Sequence, residues 1–382
     1  MLRQSRSNKT DIIAAAETLG RMVERFGREP LLACDLEADS LHHYQEKVCL
    51  IQLSTPRESI LIDPLAFSDL SALGPVMADA SVRKLFHGAD YDIRSLHRDF
   101  GIEVHNLFDT MIACQFLGER EVGLAAVLKK RFGVELDKRY QKADWSKRPL
   151  PAGMIEYAVE DTRLLIELYR QLAEELRAKG RFSWVEEECE LLSRVRTASR
   201  GDEPFFLRFK GAAGMEPRNL AVLEELLRFR DEKASQRDVP AFKIIGNESL
   251  RELAMIGPRK WGELTNIPGL TPKLVERYGQ GILDAVARGM ACPADRLPVY
   301  PRHRRPVRDR LQEERLKRLK QWREIRSREL GIDGGILANN ALLEALSEKD
   351  LARDGGAEVY APMKRWQKEE FGGELLELLR RI

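Results

Sequence analysis

The stretch Leu31–Thr55, LLACDLEADSLHHYQEKVCLIQLST, holds two strongly apolar segments separated by a polar loop. Their lengths and spacing predict the two strands of a hairpin, LLACDLE and VCLIQLS. Side chains two residues apart in a strand point to the same face of the sheet, so Asp35 and Glu37 lie side by side. Neighbouring carboxylates repel each other, and removing them from water costs further free energy. The pair therefore requires either water at a strand end or a bound cation.

Composition limits the class of protein. The 382 residues are enough for two or three domains, and 63 Lys and Arg against 61 Asp and Glu leave a net charge of only +2. Any basic surface for nucleic acid must therefore be local. Five scattered cysteines without a C-x-x-C pair argue against a disulfide framework or a zinc site. Because no apolar run approaches the roughly 18 residues of a membrane span, we expect a cytoplasmic protein without membrane association.

The first 180 residues alternate between strand-like and helix-like patterns. After the hairpin, further strands are predicted at 59–63 and within 82–89. Helical spacing predicts helices at 11–26, 90–101, 109–118 and 124–133, and one long helix at 154–180. Antiparallel strands followed by strand–helix alternation predict a mixed sheet with helices packed against it.

Two stretches rich in Gly and Pro, 197–217 and 291–310, are predicted to be linkers, and each precedes an all-helical segment. Those helical segments repeat each other without a gap when the chain is shifted by 93 positions. The shift superposes Phe229 on Trp322, Arg230 on Arg323, and Asn247 on Asn340. Coincidence between amphipathic helices is the alternative, but it does not explain the Asn and aromatic–Arg matches.

Two further sites contribute to the candidate chemistry. Tyr157 and Asp161 lie four residues apart, on one face of a predicted helix, and Asp92 lies in the first turn of a helix that follows a strand. Carboxylates from separate segments converge only where cations offset their repulsion, and Mg²⁺ and Mn²⁺ prefer oxygen ligands. Two such ions about 3.5–4 Å apart stabilise the attacking and leaving oxygens of a phosphoryl displacement. Phosphodiester hydrolysis is the reaction that fits.

These motifs resemble the DEDD superfamily of 3′→5′ exonucleases. The D-x-E pair in a strand, the Asp at a helix start and the Y-x-x-x-D pair are similar to the three motifs of its tyrosine subtype. The segment D-W-x-x-R-P-L at 144–150 is similar to the ribonuclease D branch. The helical repeats resemble HRDC domains, and the second is the poorer match because it lacks the pattern at Pro258–Leu270.

The resemblance implies an architecture. It is an α/β exonuclease domain, with a ribonuclease H-like mixed sheet flanked by helices, followed by two small all-α HRDC domains. The expected boundaries are 1–196 for the exonuclease domain, 212–291 for the first HRDC domain and 308–382 for the second, more divergent one.

The resemblance also implies roles for the site residues. Asp35, Glu37 and Asp161 would bind the ion that activates water. Asp35 would also bridge to a second ion, which Asp92 would hold directly or through water. Tyr157 would orient the attacking water. Two divalent ions, Mg²⁺ or Mn²⁺, are the expected cofactors.

The implied activity is a 3′-5′ exoribonuclease that releases nucleoside 5′-monophosphates. The implied partner is RNA, such as the 3′ ends of transfer-RNA precursors, and we expect a monomer. Nothing in the residues themselves separates RNA from DNA. A DNA 3′-5′ exonuclease and a non-catalytic RNA-binding scaffold remain as alternatives.

Some polar residues permit two interpretations. Gln52, in an otherwise apolar strand, either meets substrate or faces solvent, and Arg148 either binds phosphate or forms a structural ion pair. Asp90 and Asp109 are predicted to cap helices. Residues 302–328 contain 12 basic and 4 acidic residues, for a net charge of +8. This block either follows a phosphate backbone or forms a solvated helix with internal ion pairs.

Overall fold

The computed structural model describes residues 12–197, 201, 203–301, 309–349 and 359–381, with only the backbone at Asp161. These residues form two compact units. The first unit contains the described residues before Asp39, the segment Val48–Thr197 and the described residues from 309 onward. The second unit contains the loop Asp39–Lys47 and the described residues between Thr197 and Arg305. In none of the described ranges is a helix long and apolar enough to cross a membrane.

One six-stranded sheet forms the centre of the first unit. Its strands are β1 (Ile12–Ile13), β2 (Leu31–Ala38), β3 (Val48–Ser54), β4 (Ser59–Ile62), β5 (Arg83–Phe86) and β6 (Leu107–Asp109). They lie in the order β1-β4-β3-β2-β5-β6. The pairs β2–β3 and β3–β4 are antiparallel, and the other three pairs are parallel. The predicted mixed sheet is confirmed.

Within the described part of the chain, eight helices between Ala16 and Ser193 pack around this sheet. They are α1 (Ala16–Phe26), α2 (Gly74–Ala78), α3 (Asp90–Phe100), α4 (Thr110–Phe116), α5 (Leu124–Phe132), α6 (Ala152–Arg163), α7 (Leu165–Ala178) and α8 (Phe182–Ser193). Helix α6 packs against β2, β3 and β4, and α7 packs against β2 and β5. Every residue of β3 is buried, because the strand lies in the middle of the sheet with both faces covered.

Two sequence predictions in this region were wrong, and one strand was not predicted. The helix predicted at 11–26 is shorter, because Ile12 and Ile13 extend and pair with Leu61 and Ile62 of β4. Strand β6 was missed because its three residues are too few for a periodic pattern. The long helix predicted at 154–180 is interrupted at Leu164, which lets α6 and α7 lie on different strands.

The first helical module belongs to the second unit. Its helices are α9 (Pro217–Arg237), α10 (Asn247–Ile256), α11 (Trp261–Leu264) and α12 (Pro272–Met290). The segment predicted as a linker at 197–217 contributes to this module, since Phe206, Phe209 and Ala212 are buried in its core. Glycine and proline correctly marked irregular backbone there, but the buried aromatic side chains anchor it.

The second helical module comprises α13 (Arg310–Leu330), α14 (Gly334–Leu337), α15 (Asn340–Ser347) and α16 (Arg365–Arg380). The internal repeat is confirmed by equivalent contacts in the two modules. Arg230 donates to Asn247 Oδ1 at 2.7 Å, and Arg323 donates to Asn340 Oδ1 at 2.9 Å. The edge-to-face ring pairs Phe229–Tyr278 and Trp322–Phe371 are likewise equivalent, with centroids 6.2 and 5.4 Å apart.

The second module shares one hydrophobic core with the sheet and its helices. Trp366 stacks on Trp184 of α8 with ring centroids 4.7 Å apart. The Glu187 carboxylate accepts hydrogen bonds from the backbone N–H groups of Arg365 and Trp366, at 2.8 and 2.9 Å. A carboxylate from α8 therefore accepts hydrogen bonds from two backbone N–H groups in the first turn of α16, which have no partner within that helix.

The basic block is described only from residue 309, so residues 302–308 lie outside the described ranges. Arg318 pairs with Glu314 at 3.0 Å, and Arg326 pairs with Glu374 at 2.8 Å. Arg323 donates to the carbonyl of Ala338 at 2.9 Å. These partners favour the interpretation of a solvated helix with ion pairs for the described part.

Candidate active site

Strand β2 presents Asp35 and Glu37 on one face, and both side chains are half-buried. Their cross-strand partners on β3 are Gln52 and Leu50. The register shifts immediately after Glu37, where a bulge interrupts the pairing. Asp35 and Glu37 therefore lie near the end of the regularly paired part of β2, just before the loop that leads to β3.

This face of the hairpin is covered by α6. Ser54, two residues from Gln52, contacts Thr162 of α6 through their hydroxyls at 2.6 Å. Leu50, two residues on the other side, belongs to a hydrophobic cluster with Tyr157. Residues at alternate positions share a face, so Gln52 and its partner Asp35 also lie on the α6 side.

Tyr157 is held by aromatic neighbours. Its ring centroid is 6.0 Å from that of Trp145 and 5.9 Å from that of Tyr140, in an edge-to-face arrangement with the latter. Trp145 is almost completely buried. The D-W-x-x-R-P-L segment thus packs against the tyrosine, a role that its sequence did not reveal. Asp161 lies one turn further along α6, and its side chain is outside the described part of the chain.

Asp92 lies in the first turn of α3, beyond the carboxyl end of β5. Because β5 runs parallel to β2, the carboxyl ends of the two strands meet at the same edge of the sheet. Asp92 is only 8% exposed. Burial, and secondly the charge of Asp109, raise the pKa of Asp92 to about 7. This carboxyl group therefore lies where a nearby positive charge would be strongly favourable.

Asp109 fixes the turn that leads to Asp92. Its carboxylate accepts hydrogen bonds from the backbone N–H groups of Gly88 and Ala89 at 2.9 and 2.7 Å, and from that of Met111 at 2.8 Å. The prediction that Asp109 caps a helix is confirmed, and the contact with the β5–α3 turn adds to it. The equivalent prediction for Asp90 was wrong, since this residue forms an exposed ion pair with Arg94 at 2.9 Å.

Arg148 forms a structural ion pair. Its guanidinium binds both carboxylate oxygens of Asp63, at 2.5 and 2.6 Å, and donates to the carbonyl of Cys49 at 2.7 Å. It also donates to the carbonyls of Trp145 and Lys147, at 2.7 and 2.8 Å. With its donors engaged in this way, the guanidinium ties the segment before α6 to the sheet. The structure therefore favours the ion pair over the substrate contact proposed for Arg148.

Arg148→Ala is expected to destabilise the first unit by about 2–4 kcal/mol, because it removes the charged partner of Asp63 and the donor to three backbone carbonyls. Urea unfolding of the full chain measures this loss. The matched variant Arg148→Lys keeps the charge without the bidentate geometry and should lie between wild type and Arg148→Ala. Unchanged stability combined with weakened RNA binding would instead indicate a phosphate contact.

Gln52 is completely buried. Among the residues that the structure describes, neither its amide nitrogen nor its amide oxygen has a hydrogen-bond partner. The alternative that Gln52 faces solvent was therefore wrong. Its sequence signal was the single polar side chain in a run of apolar ones, and its partner across the sheet is Asp35.

The donor set suits a hard cation, although the described side chains include no group of three or more His, Cys, Asp or Glu residues close enough to hold a metal ion. The Asp161 side chain is not among them. Asp35, Glu37 and Asp92 offer the carboxylate oxygens that Mg²⁺ and Mn²⁺ prefer. The buried Asp92 carboxyl group, whose pKa is raised, lies where a bound positive charge would be favourable.

Comparison with known proteins agrees with this description. Residues 10–177 match the 3′-5′ exonuclease family, and residues 219–286 and 312–379 match the HRDC domain. Ribonuclease D of Gluconacetobacter diazotrophicus is 33% identical over 303 residues, covering 78% of this chain and 77% of that protein. Ribonuclease D of Nitrobacter hamburgensis is 29% identical over 372 residues, covering 96% and 94%.

A solved structure extends the likeness to the whole chain. The crystal structure of Escherichia coli RNase D, described as an exoribonuclease involved in structured RNA processing, matches with a TM-score of 0.72 and 26% identity. The match covers 98% of this chain and 99% of that one. The sheet and its helices form the exonuclease domain, and the two helical modules are HRDC domains. The chain belongs to the ribonuclease D family of 3′-5′ exoribonucleases.

Proposed function

We propose that the protein uses divalent metal ions to hydrolyse phosphodiester bonds at RNA 3′ ends, releasing nucleoside 5′-monophosphates, and that it trims transfer-RNA precursors. The observation that carries the proposal is the face shared by β2 and β3, where Asp35 and Glu37 lie under the helix that bears Tyr157 and Asp161. Support for the RNA substrate comes from the family and from the structured-RNA processing ascribed to the Escherichia coli relative.

The site residues divide into ligands and an orienting group. Asp35, Glu37 and Asp161 would hold one Mg²⁺ or Mn²⁺ ion, with Asp35 also facing a second ion held by Asp92. When bound, such ions activate water and stabilise the charge that develops on the phosphate. A phenol is a poor base at neutral pH, so the Tyr157 hydroxyl would orient the attacking water by hydrogen bonding. Packing of Trp145 and Tyr140 keeps its ring in place.

The domain assignment forms part of the proposal. Residues 1–196 would carry the catalysis, and residues 212–291 and 308–382 would form the HRDC domains. We propose that the chain acts as a cytoplasmic monomer and that its HRDC domains present RNA to the exonuclease domain.

Product analysis on a transfer-RNA precursor tests this function. Wild-type protein with Mg²⁺ or Mn²⁺ should shorten the 3′ trailer one nucleotide at a time, and chromatography should identify only nucleoside 5′-monophosphates. Internal fragments or nucleoside 3′-monophosphates would contradict the proposed chemistry. Equal activity on a matched DNA strand would favour the alternative of a DNA exonuclease, and RNA binding without any product would favour a scaffold.

The first HRDC domain holds the loop that joins the two site strands. Asp238, which ends α9 with a φ of 47°, accepts from the backbone N–H of Tyr44 at 3.1 Å and pairs with His43 Nδ1 at 2.7 Å. The Tyr44 hydroxyl donates to Asp231 at 2.8 Å. This loop begins two residues after Glu37 in the sequence and belongs to the same compact unit as the first HRDC domain.

Asp238→Ala is expected to lower kcat/KM on a transfer-RNA precursor by about 5–10-fold, because a loosened loop misplaces substrate relative to the carboxylates. Activity on a short single-stranded oligonucleotide should change less. The matched control is Asp238→Asn, which tolerates the positive φ and can still accept the Tyr44 N–H. Equal losses of kcat/KM on the precursor and on the oligonucleotide would show that the loop does not help to position the larger substrate.

A further inference from the structure

Gln52 combines features that an apolar strand does not require. The side chain is completely buried, and neither amide atom has a hydrogen-bond partner within the described part of the chain. An unsatisfied buried amide destabilises a folded protein relative to an apolar side chain of the same size. A glutamine at this position is therefore explained if its amide gains a partner in another state of the site.

The sheet register identifies that partner. Gln52 is directly opposite Asp35 in the antiparallel β2–β3 pair. Directly opposite residues have Cβ atoms about 4.5–5.5 Å apart and point to the same face. A glutamine side chain spans that separation, so rotation of its terminal torsions brings Nε2 to the Asp35 carboxylate. Ser54, which shares the face of Gln52, contacts Thr162 of α6, so Gln52 and Asp35 lie on the α6 side.

The chemistry of an amide suits this position. A lysine would compete with a bound cation, and a third carboxylate would add to the repulsion between Asp35 and Glu37. A neutral amide donates a hydrogen bond to one carboxylate oxygen and leaves the other oxygen directed at the ion. Hydrogen bonds of this kind orient metal-binding carboxylates, and losing one typically lowers metal affinity about 10–100-fold.

We propose that Gln52 is a positioning residue: in the metal-bound site its Nε2 donates to Asp35 and fixes that carboxylate in its ligand orientation. The inference rests on the proposed metal-dependent function. It also replaces a direct substrate contact for Gln52, since a completely buried amide does not reach RNA.

The test is Gln52→Met, which keeps the length of the side chain and removes the amide. Leu53→Met is the matched control, because it places the same side chain one residue further on β3, on the opposite face. For each protein we would measure thermal unfolding in EDTA, Mn²⁺ affinity by calorimetry, and kcat and KM on single-stranded RNA.

We expect Gln52→Met to unfold in EDTA at or above the wild-type temperature, while its Mn²⁺ affinity and kcat fall by about 10-fold or more. KM for RNA should stay close to wild type, and Leu53→Met should keep its Mn²⁺ affinity. Unchanged Mn²⁺ affinity and kcat in Gln52→Met would overturn the inference. Lower stability in EDTA with unchanged Mn²⁺ affinity would also overturn it and assign Gln52 a structural role.

Failure of the proposed function has a different signature. In that case wild type and Asp35→Asn bind Mn²⁺ equally weakly in the same calorimeter. If wild type binds Mn²⁺ more tightly than Asp35→Asn, and Gln52→Met binds Mn²⁺ as tightly as wild type, only the role of Gln52 is rejected.

Discussion

Asp35→Asn is expected to abolish cleavage while the chain remains folded. The substitution removes the charge of the carboxylate proposed to face both ions, so kcat should fall by at least about 10³-fold. Without metal, the same substitution removes repulsion between Asp35 and Glu37, which lie two residues apart on one face. The unfolding temperature in EDTA should therefore equal or exceed that of wild type. Single-turnover cleavage and thermal unfolding measure the two effects.

The control for this prediction is Asp90→Asn. Asp90 also lies near the proposed site along the chain, but its side chain is 61% exposed and pairs with Arg94. Loss of an exposed ion pair changes stability by about 0–1 kcal/mol, and cleavage should stay close to wild type. Wild-type cleavage by Asp35→Asn, or equal losses in both variants, would contradict the assignment of Asp35.

Trp366→Ala is expected to destabilise the catalytic part of the chain, although it lies in the second HRDC domain. Trp366 is 2% exposed, stacks on Trp184, and donates from its indole N–H to Glu188 at 2.9 Å. Truncating a buried tryptophan costs about 3–5 kcal/mol. Because the exonuclease and second HRDC domains share a core, heat inactivation of the nuclease should shift to lower temperature together with unfolding.

Trp261→Ala provides the comparison. Trp261 is 46% exposed and lies in the first HRDC domain, which belongs to the other compact unit. Its removal should cost about 1 kcal/mol or less and leave heat inactivation of the nuclease nearly unchanged. If Trp366→Ala unfolded its own domain at a lower temperature while the nuclease kept its wild-type inactivation temperature, the shared core would not be cooperative.

Periodic patterns were enough to predict the central features of the fold. Strands β2 and β3 were predictable because apolar runs of strand length flank a polar loop, and the two-residue spacing of Asp35 and Glu37 placed them on one face. The HRDC repeat was predictable because Arg230 and Asn247 recur at the same offset as Arg323 and Asn340, and these pairs contact each other in the folded modules.

Features that depend on distant contacts were not predictable from pattern. Arg148 and Asp63 are 85 positions apart. The sequence therefore could not decide whether Arg148 forms a structural ion pair or binds phosphate. The stacking of Trp366 on Trp184 joins segments that the sequence suggested were separate domains. Asp35 is the residue opposite Gln52 because of the strand register, and that register is fixed by packing on both faces of the hairpin.

The most direct test of the proposed metal-dependent exoribonuclease is one gel assay. Wild type and Asp161→Asn are incubated with end-labelled single-stranded RNA and with matched DNA, in the presence of Mg²⁺, Mn²⁺ or EDTA. We predict a ladder that shortens from the 3′ end of RNA only with wild type and a divalent ion. Degradation that persists in EDTA or in Asp161→Asn, or RNA that stays intact with both ions, would contradict the proposal.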